Sequence, residues 1–298
     1  MSHTPDYFRA LLGLRTLTPL HAGVAGGSHI LDRPIHRDVH TQLPKISSNA
    51  LKGALREYGL AKNAEELFGK TDVSNGGSAS GCLNFTDVRL LFFPVRSAVG
   101  GWAWVTSPSV LHKFWHEAKL TGHGKETDAS RDFFAALGHQ IGDSAVYAGQ
   151  RLASDKYLIL QNYSFPIDKR LEKNQVESWQ CEVVLLKSLE ALAEHLVIVS
   201  DENLREFTLR YTEIHVRNKI HDATRATGGG LLFSEEHLPA NTVLYALAFS
   251  MPDREQQEIE NKLSQQIRCI RIGGNASLGK GFCTLNWYFP SNNHSLSS

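Results

Sequence analysis

The apolar positions along the chain change period several times, and each change marks an element. In FRALLGLRTLTPLH, Leu12, Leu14 and Thr16 fall on one face and Leu11, Gly13 and Leu17 on the other, as in a strand buried on both sides. A glycine-rich loop, HAGVAGGSH, and a proline-punctuated stretch, LDRPIHRDVHTQLPKIS, follow. The period then lengthens: Leu51, Ala54, Leu55 and Tyr58 recur at helical spacing, with Ser47, Ser48 or Asn49 available as N-cap. KTDVSNGGSASG is loop by composition, CLNFTDVRLLFFPVR and GGWAWVTS read as strands, and helical spacing returns in PSVLHKFWHEAKL and DASRDFFAALGHQ. In the middle third, YLILQ predicts a strand, CEVVLLKSLEALAEHL a helix, and a new polar start falls near Asp201. Towards the end NTVLYALAFSM reads as a strand, DREQQEIENKLSQQI as a helix, RCIRI as a strand and GFCTLNWYF as a last one, with Cys283, Leu285, Trp287 and Phe289 on one side.

Strand, helix, strands at the front and strand, helix, strand at the back predict an α+β domain, helices packed on an antiparallel sheet built from two split βαβ units of the ferredoxin-like kind. No repeat or low-complexity tract marks a boundary, so the irregular middle is read as insertions into one domain. A chain of 298 residues can bury roughly three quarters of its unfolded surface. With 31 basic and 31 acidic residues, any surface for a polyanion has to be local. No apolar run reaches membrane-spanning length, which predicts a soluble intracellular protein. The four cysteines form no CxxC pair and are read as buried thiols in a reducing cytoplasm. His21, His29, His36 and His40 cluster, but their spacings match no compact zinc motif.

Three features carry candidate chemistry. GGNASLGKGF has the spacing of a phosphate-binding P-loop up to Lys280, but Gly281 stands where a magnesium-binding hydroxyl is needed, and a strand rather than a helix follows. A nucleotide cofactor is therefore not expected. The loop's glycines suit either a plain turn or close backbone approach to a phosphodiester. Between Arg33 and Arg56 lie Arg33, Arg37, Lys45, Lys52 and Arg56 against one acid, Asp38, a local charge of +4. Lys45, Ser48, Asn49 and Lys52 gather at a helix N-terminus, where dipole, free N–H groups and ammonium suit phosphate oxygens. Asp32, between an apolar pair and Arg33-Pro34, is placed on an exposed turn beside that patch. There it can act as a base, hold a divalent metal or simply cap its own loop.

Several segments together, TLTPLHAG, ILDRPIHRDVHTQLPKISSNALKGALR, DVRLLFFPVRSAVGGWAWVTSPSVL, LLFSEEHLP and IGGNASLGKGF, resemble the RAMP superfamily. More narrowly they resemble the repeated backbone subunit of the type III-B (Cmr) CRISPR effector complex, a system of antiviral defence. The likeness runs from near residue 15 to near residue 285. It departs at ISSNA, which keeps hydroxyls but lacks the glycine of a PGSS-like run.

The resemblance implies a ferredoxin-like (RRM-like) palm mainly over 8–60, 82–120 and 241–290, a β-hairpin thumb over approximately 212–240 and a helical insertion over approximately 120–200. It implies cytoplasmic copies stacked along a guide RNA with other Cmr subunits, cutting a complementary target RNA at regular intervals. Asp32 takes the cleavage position and is the expected site of a divalent metal, Mg or Mn. Guide-backbone contact maps onto Lys45, Ser48, Asn49, Lys52, Arg56, Gly273, Gly274, Gly279, Lys280 and Gly281, and thumb contact to the duplex onto Arg217, Lys219 and Arg225. His21, Glu235 and Glu236 are the candidate accessory groups. Two alternatives stay open: an RNA-binding scaffold without chemistry, and a stand-alone ribonuclease that processes guide precursors.

Overall fold

A computed structural model describes residues 8–24, 31–58, 64–72, 77–124, 126–139, 141–152, 156–168, 171–220, 227–250, 256–263 and 268–290. The chain opens with β1 (Arg9–Thr16), β2 (Lys45–Ile46), α1 (Ser48–Tyr58), α2 (Ala64–Phe68), the small hairpin β3 (Lys70–Asp72) and β4 (Gly77–Ala79), β5 (Leu83–Phe85), β6 (Val88–Ser97) and β7 (Gly101–Thr106). The middle holds α3 (Pro108–Leu120), α4 (Asp128–Leu137), β8 (Tyr147–Ala148), β9 (Tyr157–Leu160), β10 (Tyr163–Pro166), α5 (Lys173–Gln180), α6 (Val184–Lys187), α7 (Leu192–His195), β11 (Leu196–Ile198) and α8 (Asp201–Arg210). A long hairpin, β12 (Glu213–Ile220) and β13 (Thr227–His237), precedes β14 (Val243–Ser250), α9 (Gln256–Leu263), β15 (Cys269–Arg271) and β16 (Phe282–Tyr288).

The palm is the run β16, β1, β14, β6, every neighbour antiparallel. Helix α1 connects β1 towards β6 with β14 between them, and α9 connects β14 towards β16 with β1 between them. These are the two split βαβ units that the element order predicts. β1 is central and pairs on both edges, and its side chains are buried on both faces, which is why its sequence is apolar almost throughout. On α1, Leu51, Ala54 and Leu55 are buried, and Ser47 is the N-cap, its Oγ accepting from Ala50 N–H at 3.3 Å. The sheet continues beyond β6 through β7 to β11, and the β7–β11 pair is parallel, so the sheet is mixed rather than purely antiparallel.

Two expected elements also differ from the structure. The supposed loop KTDVSNGGSASG contains the β3–β4 pair, because short ladders are held by backbone groups and need no apolar side chains. The helix expected over CEVVLLKSLEALAEHL is instead two single turns, α6 and α7, with Ala191 in the left-handed region at φ 55° between them. Leu185, Leu186, Leu189 and Leu192 are all buried at spacings that one straight helix would also bury, so the break at Ala191 is a tertiary feature that the periodicity does not register. Leu185 lies directly over the palm: a methyl on Gly13 would come within 3.0 Å of its Cδ1.

The middle of the chain has its own stacked pair, Phe133 on Trp179, with ring centroids 4.2 Å apart. The cysteines divide: Cys82 and Cys283 are buried as expected, whereas Cys181 and Cys269 are exposed. Among the described residues no helix is long and apolar enough to cross a membrane.

Candidate nucleic-acid interface and cleavage site

Residues 31–37 run along β13, far from it in sequence. Arg33 bridges Glu235 in parallel, with Arg33 N–H donating to Ser234 C=O at 3.0 Å and Glu236 N–H donating to Arg33 C=O at 3.0 Å. With Asp32 N–H donating to Ser234 Oγ at 3.2 Å, this ties the backbone of Asp32 and Arg33 to β13. Its carboxylate Oδ2 accepts from Ser234 N–H at 2.7 Å and from Ser234 Oγ–H at 2.9 Å. Those two donors, the backbone one first, hold the Asp32 carboxyl below the usual carboxylate range. The group is ionised and exposed, and Oδ1 takes no hydrogen bond from another described residue.

The next two residues of β13 alternate in direction and are both committed. Glu235, only 1% exposed, accepts from Arg33 at 2.8 Å, Arg217 at 3.1 Å and Asn275 Nδ2 at 2.8 Å. Glu236 accepts from Ile35 N–H at 3.0 Å, from Thr212 Oγ1 at 2.9 Å and from Arg37. The carboxylate of Glu236 thus brackets the segment that carries Asp32 and contacts the base of the hairpin. His21 donates Nδ1–H to Glu236 C=O at 2.7 Å, since a carbonyl can only accept. His237 lies behind, buried, with the His21 ring at 5.4 Å and the His215 ring at 4.6 Å.

The glycine loop between β15 and β16 is folded against residues 19–22. Gly274 N–H donates to His21 C=O at 3.1 Å and Gly281 N–H to Pro19 C=O at 2.9 Å. Gly273 and Gly281 both have positive φ, and a Cβ on either would fall 2.2 Å from His21 O or 2.1 Å from Ile272 O. Part of the glycine content is therefore internal packing. Gly279 faces open space, and Lys280, half-buried, has no ion-pair partner among the described residues. Asn275 is left-handed and joins the loop to the rest: it donates to Glu235 and accepts from Arg217. Glue of this kind makes Glu235 the point where the Asp32 segment, the hairpin base and the glycine loop meet.

At the helix start the structure adds a carboxylate that the local sequence does not contain. Asp87 accepts from Lys45 Nζ at 2.8 Å and from Ser48 N–H at 2.9 Å, occupying the N-terminus of α1. Lys52 donates to Leu83 C=O at 3.1 Å, while Asn49 and Arg56 are exposed. Three of the five cations counted along the sequence, Arg33, Arg37 and Lys45, are thus paired with Glu235, Glu236 and Asp87. The outward-facing positive groups that remain are fewer than +4 suggests. Arg217 is at the hairpin base and Lys219 on β12; Arg225 and His29 lie outside the described residues.

Sequence reasoning did not single out Ser234, Asn275, Asp87 or His237. Ser234 and His237 lie inside a quoted motif, LLFSEEHLP, Asn275 inside the glycine loop, and Asp87 at the head of the quoted segment DVRLLFFPVR, but no local signal marks any of them as part of the site. Among the described residues no group of three or more His, Cys, Asp or Glu side chains is arranged to hold a metal ion.

A model of the RAMP superfamily matches residues 13–284, and the chain belongs to that superfamily. It is 31% identical over 302 residues to the CRISPR system Cmr endoribonuclease Cmr4 of Pyrococcus furiosus, covering 95% of this chain and 97% of that one. The crystal structure of oligomeric Cmr4 from Pyrococcus furiosus superposes with a TM-score of 0.71 at 27% identity, over 95% of this chain and 98% of that one. A chain of the type III-B Cmr-beta complex bound to cognate target RNA, 20% identical, shares the fold with a TM-score of 0.72 over 95% and 98% of the two chains.

Proposed function

We propose that this chain is a backbone subunit of a type III-B CRISPR effector, binding guide RNA through its phosphates and cutting complementary target RNA. The observation that carries the reading is the state of Asp32: ionised, exposed and pinned through one oxygen at the junction of hairpin base and palm. Likeness over nearly the whole chain to an endoribonuclease of a Cmr complex supports it.

In the reaction a ribose 2′-hydroxyl attacks the adjacent phosphorus in line. The 2′-O–P bond forms, the P–O5′ bond breaks, the 2′ proton leaves to a base and the 5′-oxygen takes one up. A carboxylate whose pKa is pushed down is a weak proton acceptor but a good partner for a cation, so Asp32 is better suited to holding charge than to deprotonating the hydroxyl. One protein carboxylate with an outward oxygen fits a hydrated Mg²⁺ or Mn²⁺, which keeps several waters and completes its shell from phosphate. When bound, such an ion would stabilise the charge that develops on the phosphate oxygens. His21, its Nδ1 proton held by Glu236 C=O, would offer Nε2 for proton transfer. Lys280 and the outer glycine-loop amides would hold the RNA backbone.

In an assembled complex with guide RNA, other copies of the chain and the remaining Cmr subunits, Asp32→Asn is expected to abolish cleavage while guide and target binding persist. Undiminished cutting would leave the chain as a scaffold. Cleavage of precursor RNA by the isolated chain would instead favour a stand-alone ribonuclease.

A further inference from the structure

We propose that Ser234 is the positioning residue of Asp32, aiming its free carboxylate oxygen at the reacting phosphate. The inference rests on the assignment of cleavage to Asp32 and deepens it. Four hydrogen bonds converge on this one residue. Ser234 N–H and Oγ–H both reach Asp32 Oδ2, Asp32 N–H donates back to Ser234 Oγ at 3.2 Å, and Arg33 N–H donates to Ser234 C=O. A carboxylate held by two donors on the same oxygen has lost rotation about its last torsion, so Oδ1 points in one direction. An exposed aspartate without this clamp would sample its full range, and only a fraction of the population would be aligned for reaction.

The clamp has a second property. Ser234 stands opposite Val216 in the β12–β13 ladder, and its N–H and C=O are turned away from β12 towards residues 31–37. It is therefore a direct mechanical link between the hairpin and the cleavage carboxylate. Glu235 and Glu236 provide parallel links through Arg33 and Arg37, but neither touches Asp32 itself. Displacement of the hairpin by bound RNA would reach the Asp32 carboxylate directly through Ser234.

The test uses the reconstituted effector with guide RNA, comparing wild type, Ser234→Ala, Ser234→Thr, Ser234→Cys and Asp32→Asn. Single-turnover cleavage is measured against target concentration and against Mn²⁺ concentration. Ser234→Ala is expected to lower the limiting rate about tenfold, equivalent to about 1.4 kcal/mol, with the target concentration for half-maximal rate unchanged. The Mn²⁺ concentration for half-maximal rate is expected to rise. Ser234→Thr, which keeps the hydroxyl and suits a strand, restores most of the rate. Ser234→Cys keeps the size but is a poor donor, so it follows Ser234→Ala and covers the case in which the alanine variant does not assemble.

A wild-type rate in both Ser234→Ala and Ser234→Cys overturns the proposal. So does loss of target binding in step with rate, or failure of threonine to rescue. If Asp32→Asn cuts normally, the assignment of Asp32 is what fails, a result distinct from any of these.

Discussion

Acid should destabilise this chain through one residue in particular. His237 is 1% exposed, and neither ring nitrogen makes a hydrogen bond of ordinary geometry. Burial, with the neighbouring His215 and His21 adding to it, pushes its pKa from an ordinary 6.5 down to about 4. The unfolded chain therefore binds a proton here as pH falls below 6.5, and the native chain does not until about 4. Stability is fully present above pH 6.5 and is lost on acidification through that window. The loss is about 2 kcal/mol at pH 5, rising to about 3 kcal/mol at pH 4. For a chain of 298 residues, 2 kcal/mol is about 3 °C in Tm.

The assay is thermal or urea unfolding of wild type and His237→Phe, followed by tryptophan fluorescence, at pH 7.5, 6 and 5. Phenylalanine keeps an aromatic ring between His21 and His215 and cannot take up a proton. The gap between the two stability curves is expected to move by about 2 kcal/mol in favour of the variant between pH 7.5 and 5. Parallel curves over that range would refute the reasoning, because they would mean that His237 titrates alike in both states.

Other expectations follow from the same contacts. Gly281→Ala would place a Cβ 2.1 Å from Ile272 O and should cost about 3 kcal/mol, whereas Gly279→Ala, left-handed but facing open space, should cost only about 1 kcal/mol in the same denaturation experiment. Glu235→Gln removes the charge shared by Arg33 and Arg217; both arginines are partly exposed, so a loss of about 1–3 kcal/mol is expected by urea denaturation. Lys280→Ala should weaken guide RNA binding and reduce the slope of log affinity against log salt by about 0.7, the value for one phosphate on a single strand. An unchanged slope would remove Lys280 from the phosphate contacts.

For β1, α1 and β16 the element's own periodicity was sufficient. The apolar run of β1 reflects a strand flanked by β14 and β16 and covered on both faces. The spacing of Leu51, Ala54 and Leu55 reflects one buried face of α1, and the alternation in β16 reflects one buried face of an edge-ward strand. The element order carried the split βαβ connectivity, and the order of motifs carried the family. Each of these is a local pattern, or a sequence of local patterns, imposed by the 3.6- and 2-residue repeats of regular structure.

The site is different, because its decisive contacts join residues with no local relation. Asp32 and Ser234 are 202 positions apart, Lys45 and Asp87 are 42 apart, and Arg217 and Asn275 are 58 apart. A charge count along Arg33 to Arg56 cannot register carboxylates delivered from Asp87, Glu235 and Glu236, so it overstated the positive surface. In the glycine loop, sequence alone could not separate glycines that pack on Pro19 and His21 from the outward Gly279 and Lys280. What sequence determined was the principal strands and helices of the palm and which family they compose. Only the fold decided which charges remain unpaired and which oxygen of Asp32 is left free, because those depend on side chains that meet only after the sheet has closed.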